Sequence, residues 1–148
     1  MTTQMTKSNC WNILIVDDEQ DMHLITENAF YEEKLQGKEL NFISAITEQA
    51  AKDLLETYQQ EISVVILDMV ISHNGDEGMN VLEFLINELR NKRTQVILRT
   101  GYPGRASVNV IKEKYPEVII LEKGGTDADT LIKLVSEAIV RYQQIDLY

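Results

Sequence analysis

Apolar residues along this chain fall into two alternating rhythms. Short unbroken runs, such as Ile13-Leu14-Ile15-Val16 and Val64-Val65-Ile66-Leu67, alternate with stretches in which apolar residues recur every three or four positions. Four consecutive aliphatic residues predict a strand buried on both faces, and the longer period predicts helices. The first strand ends at Val16, and Met22, Ile25 and Ala29 then predict a helix from about Gln20 to Glu33. Leu40 to Ile46 reads as a second strand, and Thr47 caps a helix whose apolar face is Ala50, Ala51, Leu54, Leu55 and Tyr58. A third strand ends at Asp68. A polar loop from Ser72 to Gly78 leads to a helix striped by Val81, Leu82, Leu85, Ile86 and Leu89. Gln95 to Arg99 forms the fourth strand, and two glycines and a proline in Thr100-Gly101-Tyr102-Pro103-Gly104 mark a turn.

The segment Ala106 to Tyr115 is a poor helix former, because Val108, Val110 and Ile111 are β-branched and Ser107 and Asn109 favour caps. It is expected to form through packing, to be mobile, and to stop at Pro116. Val118 to Leu121 is the fifth strand. Thr126 with Asp129 resembles a capping box ahead of a last helix carrying Leu131, Ile132, Val135, Ala138, Ile139 and Tyr142. Five strands alternating with five helices predict an α/β, flavodoxin-like (βα)5 fold, a doubly wound parallel sheet in the order 2-1-3-4-5. A polar extension over residues 1–11 precedes this domain at 12–143, and residues 144–148 form a tail or the start of a linker.

Composition narrows the function. A chain of 148 residues with 44% apolar and 26% charged content suits one soluble globular domain. A net charge of -10 argues against direct contact with nucleic acid or an anionic membrane. Cys10 is the single cysteine, so no intramolecular disulfide can form, and His23 and His73 supply no zinc ligand set. The polar start lacks a signal-peptide pattern and no segment has the length of a membrane span, so the expected location is cytoplasmic.

The chemistry lies where strands end. The first strand runs into Asp17-Asp18-Glu19 and the third into Asp68, and in this strand order those two ends flank the ligand crevice. Taken singly, Asp17 and Asp18 read as helix caps, Asp68 and Thr100 as turn residues and Lys123 as a solvated lysine. Together they occupy the carboxyl ends of the first, third, fourth and fifth strands, which share one edge of a parallel sheet. Three clustered carboxylates repel one another unless a cation joins them, and hard oxygen donors select Mg²⁺. With an acid as nucleophile, a lysine and a hydroxyl, the set suits phosphoryl transfer.

The ordered set Asp17-Asp18, Asp68, Thr100 and Lys123 resembles the receiver domain of two-component response regulators, over about Asn12 to Tyr142. The resemblance implies that Asp68 accepts a phosphoryl group from a histidine kinase or histidine phosphotransfer protein. It implies that Asp18 binds Mg²⁺ (with Mn²⁺ as a substitute) directly, Asp17 through water, and that Asp68 and the backbone carbonyl of Val70 complete the site. Lys123 would contact the phosphoryl group and Thr100 would move toward it as a switch. Such a domain catalyses its own phosphorylation and dephosphorylation without being a conventional turnover enzyme. It signals to an output domain or effector protein, and leaves room for a phosphorylation-dependent homodimer.

Departures from the family pattern are visible. The loop after Met69-Val70 has no proline and is slightly longer, Gly124 replaces the usual proline after the lysine, and Ile120 replaces the aromatic switch residue. Leu98 to Gly104 also resembles receivers found ahead of HD-type phosphodiesterase regions. Val70 and Tyr102, each two residues beyond a site residue, are expected to obstruct an attacking water and lengthen the life of the phosphoryl group. Two alternatives from other classes fit less well. A haloacid-dehalogenase-type phosphatase expects a second Asp where Val70 stands, and a flavin carrier expects a Ser/Thr/Gly loop where Asp17-Asp18-Glu19 stands. The remaining alternative is a degenerate receiver serving as a phosphorylation-independent docking or dimerisation module.

Overall fold

The computed structural model describes residues 5–71, 75, 77–101, 104, 106–124 and 127–145. In chain order the elements are β1 (Cys10–Val16), α1 (Gln20–Ala29), β2 (Lys34–Leu35), β3 (Lys38–Ala45), α2 (Glu48–Tyr58), β4 (Ile62–Asp68), α3 (Glu77–Glu83), β5 (Gln95–Thr100), α4 (Ala106–Lys114), β6 (Ile119–Glu122) and α5 (Ala128–Gln144). A 3₁₀ turn spans Gln59–Glu61, and a π-helical turn, Phe84–Glu88, extends α3. No helix among the described residues is long and apolar enough to cross a membrane.

The sheet is α/β as expected, but its strand count is corrected from five to six, in the order β2-β3-β1-β4-β5-β6. The addition is β2, paired antiparallel to β3 at the sheet edge; β3, β1, β4, β5 and β6 pair in parallel. Gln36 and Gly37 join β2 to β3 with φ of 50° and 76°, the two-residue turn with both φ positive that suits the twist of a hairpin. Trp11 Nε1 donates to the Leu35 carbonyl at 2.6 Å and Lys38 Nζ lies 4.3 Å from the Trp11 ring, which ties the hairpin to β1. α1 stops at Ala29, short of the expected Glu33, and residues 30–33 turn the chain into this hairpin.

All seven residues of β4 are buried, as an apolar run in a central parallel strand requires. One face of the sheet packs Leu14, Val65, Leu67 and Leu98 against Ala51 and Leu55 of α2, Val81 and Leu82 of α3 and Ile111 of α4. The other face packs Ile13, Val64, Ile66, Ile97 and Leu121 against Leu131, Val135, Ala138 and Ile139 of α5. Thr47 caps α2 by accepting from Ala50 N at 3.0 Å. Asp127 caps α5, accepting from Thr130 N at 2.8 Å; Thr126, assigned that role from the sequence, lies outside the described residues.

α1 departs from its expected orientation. Ile25 of the apolar stripe is 58% exposed, and the buried residues of the helix are His23 and Thr26. A helix normally turns its apolar stripe inward. Here the inner face meets a charged sheet edge, and polar side chains satisfy it better.

Candidate functional site

Ladder hydrogen bonds run past the strand ends and hold the carboxyl edge of the sheet. Asp17 N donates to Ala45 O at 3.1 Å, Met69 N to Arg99 O at 3.1 Å and Lys123 N to Thr100 O at 2.7 Å. Side chains alternate faces along a strand. Asp17 therefore continues the face of Trp11 and Ile13, Asp68 that of Val64 and Ile66, Arg99 that of Ile97, and Lys123 that of Leu121. The four charged residues form one row on the face covered by α5.

One carboxylate oxygen from each of Asp17, Asp18 and Asp68 lies within 4.8 Å of the others. Asp17 and Asp68 are buried and Asp18 is exposed, so the triad opens to solvent on one side. Lys123 Nζ reaches across it, 3.0 Å from Asp68 Oδ2, 3.3 Å from Asp17 Oδ2 and 3.2 Å from Glu19 Oε1. Asp17 Oδ1 accepts from Glu19 N at 2.9 Å and Asp68 Oδ1 from Val70 N at 3.3 Å, fixing both carboxylates against the backbone. Thr100, also buried, ends β5, and its backbone carbonyl accepts from Lys123 N. Tyr102 and residues 72–74 and 76 lie outside the described residues.

Charges at this edge perturb one another. Burial pushes the Asp68 carboxyl up to about 6, and the Asp17 charge adds to the rise against the opposing hydrogen bond and charge of Lys123. Burial alone would lower Lys123, but its hydrogen bond to Asp68, the charges of Asp68 and Asp17, and the contact with Glu19 together hold it above the ordinary lysine value. Asp17 Oδ2 is buried without a hydrogen-bond partner among the described residues, despite its ion pair with Lys123. An unsatisfied buried carboxylate oxygen beside two further carboxylates is a donor set that fits a small hard divalent cation.

Three supporting residues were not singled out from the sequence. A Cβ on Gly78 would lie 2.3 Å from the Asp68 carbonyl oxygen and 2.7 Å from Met69 Cα, so only glycine lets α3 start across the backbone that follows Asp68. His23 Nε2 lies 2.7 Å from the Asp17 carbonyl oxygen and anchors α1 to the site. Arg99, 4% exposed in the middle of the sheet, pairs in register with Asp68, and its Nη1 donates to Thr26 Oγ1 at 2.8 Å. An arginine between Leu98 and Thr100 in a central strand was the available signal for it.

No family model matches the chain. A curated relative, the 3'3'-cGAMP-specific phosphodiesterase 2 of Vibrio cholerae, is 26% identical over 137 residues. The match takes in 93% of this chain and 26% of the relative, so the chain spans about a quarter of that protein's length. Among solved structures, the signal receiver domain of a Luxo repressor protein of Vibrio parahaemolyticus superposes with a TM-score of 0.73 at 19% identity, covering 91% of this chain and 94% of the other. The signal receiver domain of an HD domain-containing protein of Pseudomonas fluorescens gives 0.70 at 17% identity, covering 92% and 99%. The chain has the receiver-domain fold.

Proposed function

We propose that this chain is a phosphorylatable receiver in which Asp68 is the acceptor. The observation that carries the reading is a buried Asp68 whose Oδ2 lies 3.0 Å from Lys123 Nζ, within a triad of carboxylates at the crevice edge of a parallel sheet. An Asp68 carboxylate oxygen attacks phosphorus of a phosphohistidine on a histidine kinase or phosphotransfer protein. The O–P bond forms as the N–P bond breaks, and the departing imidazole keeps the electron pair and takes a proton. Raised to about 6, the Asp68 carboxyl is mostly ionised at neutral pH and so available as nucleophile. Lys123 and Thr100 are assigned to the transferred oxygens.

Asp17, Asp18, Asp68 and the Val70 carbonyl would hold Mg²⁺ or Mn²⁺. When bound, the cation supplies positive charge to the transferring oxygens. Phosphorylation then shifts a pre-existing equilibrium, read through Thr100 by an output domain or effector. With Ile120 half-buried against the α2–α4 core, the output does not use an aromatic swing. The likeness to a 3'3'-cGAMP-specific phosphodiesterase supports a phosphodiester-hydrolysing output under the control of this domain.

The test is intact-protein mass after incubation with Mg²⁺ and acetyl phosphate, beside an Asp68→Asn control. One phosphate adduct on the wild type alone is expected. No adduct, with beryllofluoride also failing to bind, would overturn the reading in favour of a docking module.

A further inference from the structure

Among the described residues, Arg99 is the one cation of this edge to which the receiver reading gives no work. Its guanidinium lies on the same sheet face as Asp17, Asp68 and Lys123, one strand from Asp68 in exact register. It is nearly inaccessible, and its Nε has no hydrogen-bond partner among the described residues. Thr26 Oγ1, which accepts from Arg99 Nη1, itself donates to the Met22 carbonyl at 2.7 Å. An aliphatic residue like Ile97 would fill this place more cheaply, because a buried cation is costly unless opposite charge offsets it. The neighbouring opposite charges are Asp17 and Asp68.

We propose that Arg99 is a fixed counter-charge for the phosphorylated pocket, weakening its grip on a divalent cation beforehand and strengthening its grip on a phosphoryl-like anion at Asp68. This rests on the receiver reading. Phosphorylation replaces the single charge of Asp68 with about two negative charges. Setting aside Glu19, which is exposed and not among the cation ligands, Asp17, Asp18 and a phosphorylated Asp68 are then balanced by Lys123, Arg99 and a bound divalent cation together. Without Arg99 one negative charge is left over. Before phosphorylation the same arginine repels the incoming cation. Removing it therefore moves cation and anion affinity in opposite directions. Loss of packing alone would weaken both.

The experiment measures MgCl₂ binding by calorimetry and beryllofluoride binding by ¹⁹F NMR at saturating Mg²⁺, on wild type, Arg99→Met, Arg99→Gln and Arg99→Lys. Gln keeps a donor for Thr26 without the charge, and carries the test if Arg99→Met does not fold. Both neutral variants are expected to bind Mg²⁺ roughly tenfold more tightly and beryllofluoride roughly tenfold more weakly, as a unit charge acting through the protein's effective dielectric predicts. Arg99→Lys should stay near the wild type in both. Neutral variants that move both affinities the same way, or neither, would overturn the role of Arg99 while leaving the receiver intact. A wild type that binds Mg²⁺ but neither takes phosphate nor binds beryllofluoride would instead bring down the receiver reading, and this role with it.

Discussion

The two edges of the sheet bury polar groups for opposite ends. At the amino edge Asn12 is 4% exposed, and every polar atom of its amide is used. Oδ1 accepts from Lys7 N and Asn41 Nδ2, and Nδ2 donates to the carbonyls of Lys7 and Glu61. Nearby, Asn91 Oδ1 accepts from Arg93 N and Thr94 N, and the buried Thr94 hydroxyl donates to Ile62 O. At the carboxyl edge, Asp17 Oδ2, His23 Nδ1 and Arg99 Nε are buried without hydrogen-bond partners among the described residues. Buried groups that are fully paired fix a structure; buried groups left short of hydrogen-bond partners remain free to take a ligand. The contrast shows which edge the fold supports and which edge it strains.

Replacing Asp68 by Asn gives the largest break in that contrast. It should abolish the acetyl-phosphate adduct. Unlike most substitutions of buried residues, it should also stabilise the metal-free protein. Folding raises the Asp68 carboxyl from 3.8 to about 6, so keeping it ionised at neutral pH opposes folding. The difference corresponds to a gain of up to about 3 kcal/mol, read as a higher urea midpoint in chelator-treated buffer. A midpoint lowered by the substitution would mean that the carboxylate is not strained there.

The same linkage predicts a pH dependence, with its sign set by the raised value. Between about 3.8 and 6 the folded state holds the Asp68 proton while the unfolded chain has released it. The contribution of Asp68 to stability is therefore fully present below that window and lost as pH rises through about 6, by up to about 3 kcal/mol. Urea titrations of metal-free protein across this range should show the loss, and Asp68→Asn should lack it. Millimolar Mg²⁺ should recover stability at the upper end, because a ligand that binds only the folded state stabilises it by linkage. A melt indifferent to Mg²⁺ at pH 7 would remove the cation from the site.

What was legible in the sequence follows the same division. The runs Ile13 to Val16 and Val64 to Leu67 announced themselves because strands buried on both faces tolerate little else, and the acids at their ends stood out against that background. β2 was illegible, since two residues carry no period and Gln36-Gly37 is a weaker hairpin signal than Asn-Gly. α1 misled because its inner face meets charge: His23 and Thr26 turn inward while Ile25 faces solvent. Arg99 is read as a strand end and as part of the Leu98 to Gly104 resemblance, although its parity with Ile97 already places it on a buried face. Hydrophobic periodicity finds a core, and it misreads a helix packed against a charged edge.

At the amino edge the expected effects are smaller and purely structural. Asn12→Ala should cost about 2 kcal/mol, because it leaves several buried partners unsatisfied, yet it should leave Mg²⁺ affinity and phosphate uptake unchanged. Equal losses of stability and of Mg²⁺ affinity would show that the two edges are not separable.

Thr47→Ala is the smallest and most discriminating change, because Thr47 stands at the carboxyl edge without belonging to its strained group. Its hydroxyl oxygen satisfies Ala50 N at the start of α2, just beyond the end of β3. If position along the sheet were what mattered, losing this cap would disturb the site. If pairing is what matters, it should cost about 1 kcal/mol in urea denaturation, as N-caps generally do, and leave the Mg²⁺ titration superimposable on that of the wild type. A shifted titration would extend the functional edge to α2. An unshifted one would confine it to the row of charges from Asp17 to Lys123 and the helix face above them.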